Sequence, residues 1–202
     1  MRLGWLYLGL VGFGVSLGLL VRARLGLDPW DVFAQGIAKH LGLQIGYVVD
    51  IVGAAVLLAW IPLRQRPGFG TVSNVIVVGL VVNWTLDLLP HPNALGIRIT
   101  MLALAIVLNA LATGCYIGAG LGTGPRDGLT IGLAARGHSI RVVRSVIELS
   151  VLVVGFALGG TVGVGTVAYA VSIGPLVHVT IPRLDLARRW PMIVAAACDG
   201  ST

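Results

Sequence analysis

Six charged side chains stand inside or beside apolar stretches where charge is costly: Asp31, Asp50, Arg126, Asp127, Arg144 and Glu148. Three of them fall in a motif that the chain contains twice. Residues 25–32 read Leu-Gly-Leu-Asp-Pro-Trp-Asp-Val and residues 121–128 read Leu-Gly-Thr-Gly-Pro-Arg-Asp-Gly. An offset of 96 superimposes Gly26 on Gly122, Pro29 on Pro125 and Asp31 on Asp127. In the first copy Asp28 is placed as a helix N-cap, Pro29 as the first helical residue and Asp31 as an acidic third. Gly124, Pro125 and Asp127 fill the same frame in the second. Proline supplies the φ of a first helical residue without wasting a donor, and a carboxylate there meets the positive end of the helix dipole. On one reading Asp31 and Asp127 simply cap two short helices. On the other, two half-helix N-termini flanked by glycine-rich backbone form a polar binding site near mid-membrane. The readings are compatible. Carboxylates at both ends disfavour anions and suit a cation, a proton or a neutral hydrogen-bonding solute. Arg126, present only in the second copy, pairs with Asp127 or a neighbouring carboxylate, or faces headgroups.

The other ionisable residues lie in longer apolar runs. Arg144 and Glu148 are spaced i,i+4, which puts them about one helical turn apart and suits an internal ion pair as well as a transport or proton-relay role. Asp50 has no partner on its own helix and is near a predicted helix end. Asn74, Asn83, Asn109 and His178 are read as interhelical hydrogen-bond glue. A second repeated element is Gly68-Phe69-Gly70-Thr71 over Gly163-Val164-Gly165-Thr166, now at an offset of 95. It marks helix N-termini capped by Thr71 and Thr166, with a close approach to the partner half as a further expectation. It is no phosphate loop, since no lysine follows and no strand precedes.

Long helices must position these groups. Of the residues, 56% are hydrophobic and 11% charged, with a mean hydropathy of +0.94. A soluble domain carries roughly 25% charged residues. The apolar runs Leu3–Val21, Ile45–Leu63, Val72–Leu89, Ile99–Ala119, Val142–Leu158 and Gly165–Ile181 each approach the ~20 residues that cross a bilayer. Trp30–His40 and about 126–136 are too short and are expected as half-helices or re-entrant segments. The fold class predicted is therefore an all-α polytopic membrane protein. Six transmembrane helices form two inverted three-helix repeats, about 3–90 and 97–182, each with a half-helix. Residues 1–182 make a single transmembrane domain, and 183–202 a basic juxtamembrane tail that contacts anionic lipids.

Charge counting orients this plan. With the N-terminus inside, the cytoplasmic set is Arg2, Arg64, Arg66, Arg126, Arg136, Arg141, Arg144, Arg183, Arg188 and Arg189, against Arg22, Arg24, Lys39 and Arg98 outside. Both termini are then cytoplasmic. The net charge of +6 is a topology signal and not a nucleic-acid surface. Cys115 and Cys198 give neither a metal spacing nor a disulfide framework. With no nucleophile–base constellation and no ligand cluster, neither an enzyme nor a cofactor or metal is expected.

The motif set has a family resemblance. Gly122, Gly124, Pro125 and Asp127 (degenerate at Gly26, Pro29 and Asp31), Gly-Gly-x-x-Gly-x-Gly-Thr at 159–166 and Ile173-Gly174-Pro175 together resemble the YczE/YyaS/YitT family of bacterial integral membrane proteins. The resemblance implies a multi-pass inner-membrane protein. Beside it, the duplication and the intramembrane carboxylates point to a small-solute transporter with a pocket between the repeats. The alternative is a membrane accessory factor that binds another membrane protein. A homo-oligomer fits either.

Overall fold

The computed structural model of the chain describes residues 1–186. Among these are eight helices and no strand: α1 (Arg2–Ala23), α2 (Pro29–Leu41), α3 (Ile45–Trp60), α4 (Phe69–Leu88), α5 (Leu95–Gly118), α6 (Pro125–Ala134), α7 (Ile140–Ala157) and α8 (Val164–Leu184). Both copies of the motif open a short helix, α2 and α6, where the spacing placed them. The last helix continues past its expected end at Ile181, through Pro182 to Leu184. An internal proline frees a carbonyl, and neighbouring helices within a bundle accommodate such sites. Of the basic tail, Arg188 and Arg189 lie outside the described residues, as does Cys198.

By length and composition α1, α4, α5 and α8 are able to cross a membrane, and the pair α2–α3, bent by 115°, counts as a fifth span if taken as one broken element. Two of the expected crossings are less clear-cut. The 16 residues of α3 reach ~24 Å against ~30 Å of hydrocarbon. The 18 residues of α7 include Arg141, Arg144 and Glu148. Large side chains such as Leu8, Trp84, Leu104, Val153 and Val171 are exposed around the bundle, a girdle suited to lipid.

At the centre α1 packs against α4 and α5, and α5 against α8. Leu6, Leu10, Leu17 and Leu20 of α1 are fully buried. The glycines of α1 explain this proximity: a β-carbon at Gly9 would lie 2.6 Å from the Tyr116 backbone nitrogen, and one at Gly18 2.6 Å from Thr85 Cγ2.

Hydrogen bonds sort the helix ends into two layers. In one, Trp5 Nε1 donates to Leu184 O at 3.1 Å, Gly70 N to Leu121 O at 2.9 Å and Arg136 Nη2 to Pro62 O at 3.2 Å. In the other, Arg98 donates to Ala23 O at 2.7 Å and Arg24 O at 2.6 Å, Lys39 Nζ to Gly159 O, and Arg22 to Leu86 O. These three cations cap carbonyl ends of helices, the favourable pole for positive charge. The far end of α2 therefore belongs to the second layer and that of α6 to the first.

Candidate functional site

Each short helix is held by the opposite half of the chain. Before α6, Leu121 O accepts from Gly70 N at 2.9 Å, and Thr71 Oγ1 donates to Thr123 O at 2.8 Å. Before α2, Leu25 O accepts from Gly165 N at 2.7 Å, and Leu27 N donates to Thr161 O at 3.3 Å. Gly122 and Gly26 sit at these contacts with φ of 138° and 121°, conformations that favour glycine. A β-carbon on either would come within 2.6 Å of a threonine Oγ1, Thr71 for Gly122 and Thr166 for Gly26. The expected close approach of the Gly-x-Gly-Thr elements is thus present. The threonines are not themselves N-caps, however. Each stands at the third helical position and accepts from the cap amide behind it, Gly68 N at 3.2 Å and Gly163 N at 3.3 Å.

Where the two N-termini meet, charge from both halves is joined. Asp28 caps α2, its Oδ1 accepting from Asp31 N at 2.6 Å. Arg126, the second residue of α6, reaches across: Nη1 lies 3.2 Å from Asp28 Oδ2 and Nη2 3.2 Å from Asp31 Oδ1. Its guanidinium also lies 5.3 Å from the centroid of the Trp30 ring, a cation–π contact. The Asp31 side chain is only 1% exposed, and Asp31 Oδ2 has no hydrogen-bond partner. Of the three sequence alternatives for Arg126, pairing with a neighbouring carboxylate is the one the geometry adopts.

Asp127 has a separate partner, the hydroxyl of Tyr116 on α5, which donates to Oδ2 at 3.1 Å. Gly124 makes room for this bond, since a β-carbon there would lie 3.1 Å from Tyr116 Oη and 3.3 Å from Asp127 Oδ2. Pro125 is buried, and its carbonyl accepts from Trp60 Nε1 at 3.1 Å. Nearby, Asn109 links three helices: Nδ2 donates to Ser16 Oγ at 2.8 Å and Oδ1 accepts from Tyr169 Oη at 3.1 Å. That is the expected interhelical glue.

Asp50 stands apart from this cluster. Its Oδ1 accepts from Gly79 N at 2.9 Å, while Asn83 Oδ1 accepts from Gly46 N at 2.9 Å, so both serve the contact between α3 and α4. Arg144 and Glu148 form the expected pair at 2.8 Å, with side chains 58% and 38% exposed. Arg144 is also within electrostatic reach of Asp127 and Tyr169. Sequence reasoning did not single out Tyr116, Tyr169, Trp30 and Trp60. Their indole and phenol groups were lost among the apolar residues of their helices. A cavity of about 630 Å³ opens in the second layer, lined by Arg22, Arg24, Lys39, Arg98, Gln35 and Thr161.

A family model described as "Family of unknown function (DUF6198)" matches residues 1–182. An uncharacterized protein of Haemophilus influenzae is 44% identical over 181 residues, which is 89% of this chain and 82% of that protein. YczE of Bacillus subtilis, described as a membrane protein, is 31% identical over 86% of this chain and 81% of its own. YyaS of the same organism is 24% identical over 88% and 91%. The names YczE and YyaS are those that the glycine–proline–aspartate motifs pointed to. No solved structure matches. With four or five apolar helices of spanning length, the chain is a multi-pass membrane protein.

Proposed function

The chain belongs to the DUF6198 family, and from that premise we propose that it is a small-solute permease with its binding site between two inverted three-helix repeats. The observation that carries this is the bridge from Arg126 of α6 to Asp28 and Asp31 of α2. Capped half-helices that meet through their N-termini, with irregular backbone leading to each, are how secondary transporters build a site at mid-membrane. Support for inversion comes from the reciprocal docking of Leu121–Thr123 on Gly68–Thr71 and of Leu25–Leu27 on Thr161–Gly165. On this plan α3 and α7 are also crossings, making six.

The site comprises Asp31, Asp127 and Arg126 with Asp28, Tyr116 and Tyr169. Arg144 and Glu148 line the approach along α7. Asp50 is a structural member of the α3–α4 contact. The role is transport and not catalysis, with no cofactor or metal. By arginine count the second layer faces out and both termini face the cytoplasm of a bacterial cell, with anionic lipids at the basic tail.

Purified protein in liposomes should show solute- or proton-driven flux. Flux untouched by Asp31→Asn combined with Asp127→Asn would remove the site from this cluster. Cysteines placed at Lys39 and Arg136, in a background free of other cysteines, should react with an impermeant reagent from opposite sides. Labelling from one side would mean a parallel repeat. The second reading, an accessory factor for another membrane protein or a homo-oligomer, draws on α7, where Gly155 is the one buried residue. Absence of flux for every solute, with a stable membrane-protein complex through α7, would favour it.

A further inference from the structure

The cluster where α2 meets α6 carries unbalanced charge. Asp28 and Asp31 contribute two negative charges, with side chains 6% and 1% exposed, and Arg126 contributes one positive. Among the described residues no second cation faces them. The Trp30 ring lies against the guanidinium. From α8, the Tyr169 hydroxyl is engaged with Asn109. From α7, Arg144 pairs with Glu148, and from α3, Asp50 accepts from Gly79. Asp127, beside Arg126 on α6, is bonded to Tyr116.

The hydrogen bonds locate the imbalance on one atom. Asp28 uses Oδ1 for the cap and Oδ2 for Arg126, and Asp31 uses Oδ1 for Arg126. Asp31 Oδ2 is buried and has no partner. A buried net charge costs several kcal/mol, and proteins meet that cost by neutralising the group. We propose that this site binds one proton, carried on Asp31 Oδ2, with Asp28 remaining the ionised partner of Arg126. Asp28 keeps its charge because a cap amide and a guanidinium both stabilise the anion. A proton needs only the one unpartnered oxygen, whereas a metal cation needs several oxygen ligands, and the other three carboxylate oxygens already accept hydrogen bonds. Its consequence, a proton as the coupling ion, rests on the permease reading; the proton site itself does not.

The test is infrared spectroscopy of the full chain in lipid nanodiscs at neutral pH, following the deuterium-sensitive C=O stretch of carboxylic acids. Asp31→Asn should lose one carboxylic acid per chain relative to the wild type. Asp28→Asn should lose one as well: Arg126 is then balanced by Asp31 alone, and asparagine remains a good N-cap. Asp127→Asn should leave this acid in place. A wild-type signal retained in Asp28→Asn would overturn the proposal, and that variant decides alone if Asp31→Asn does not fold. Sodium or potassium raising the melting temperature of the wild type but not of Asp31→Asn would assign the place to a metal cation instead. Flux is not measured, so a failure of transport leaves this result intact.

Discussion

Helices α3 and α4 pack closely along each other, whereas α7 and α8, their counterparts at an offset of 95, barely touch. Gly46 and Gly79 make the first contact possible. A β-carbon on either would run into the backbone carbonyl of the other. Two side chains then seal it, Asp50 on Gly79 N and Asn83 on Gly46 N. At the equivalent positions the second half has Arg141 for Gly46, Ser145 for Asp50, Gly174 for Gly79 and His178 for Asn83. An arginine cannot stand where two backbones must approach, so the small-to-small contact is lost. A β-carbon at Gly174 meets nothing within 4 Å. The two halves are thus alike in their half-helix docking and different in how α3 meets α4 and α7 meets α8. Asp127, the carboxylate that Arg126 does not hold, is bonded instead to Tyr116 of α5.

The comparison breaks most severely at the cluster both halves share. Arg126→Gln leaves Asp28 and Asp31 buried without a cation, which typically costs ~3–5 kcal/mol. A large fall in melting temperature in detergent is expected. A fall no greater than that of a surface arginine would mean the halves are not joined there.

The two glycines give the next largest effect and the sharpest contrast. Gly79→Ala pushes a methyl into Gly46 O and the Asp50 carboxylate, an overpacking cost of ~1–3 kcal/mol. Gly174→Ala enters open space, and alanine's higher helix propensity is worth up to ~1 kcal/mol. The expected outcome is opposite signs at equivalent positions. Equal destabilisation would show that α7 closes on α8 in the membrane. Asp50→Ala, which removes the carboxylate that accepts from Gly79 N across the half-buried seam, should cost about 1 kcal/mol. Ser145→Ala, on the exposed face of α7, should stay within ~0.5 kcal/mol.

Much of this was legible in the chain because periodicity and capping are local. Both half-helices begin at the Pro29 and Pro125 that the motif marked, and Arg144 meets Glu148 as i,i+4 spacing requires. The central bridge was not legible, since Arg126 and Asp28 are 98 residues apart and align with different partners, Trp30 and Gly124. A signal was present all the same. The first copy gains an acid where the second has glycine, and the second gains a base where the first has tryptophan. Complementary departures from a repeat suggest a contact between its halves. The open seam was hidden for another reason: Gly79 and Gly174 are identical in sequence, and the difference lies in what α3 and α7 present to them.

The smallest effect tests what fills that open seam. Arg144 is exposed and Glu148 half-buried, on a helix that buries only Gly155. If lipid covered them, Glu148→Gln would leave a cation in hydrocarbon and cost several kcal/mol. If water covers them, the pair behaves as an exposed i,i+4 pair worth ~0.3–0.5 kcal/mol. Water is expected, because the Arg144 side chain is more than half exposed and α7 barely touches α8. Glu148→Gln should then lower the melting temperature by about 2 °C or less, at ~2–4 °C per kcal/mol. Adding Arg144→Gln should change it little further, giving a coupling energy below ~0.5 kcal/mol. A drop of many degrees, restored by the second substitution, would place lipid against α7.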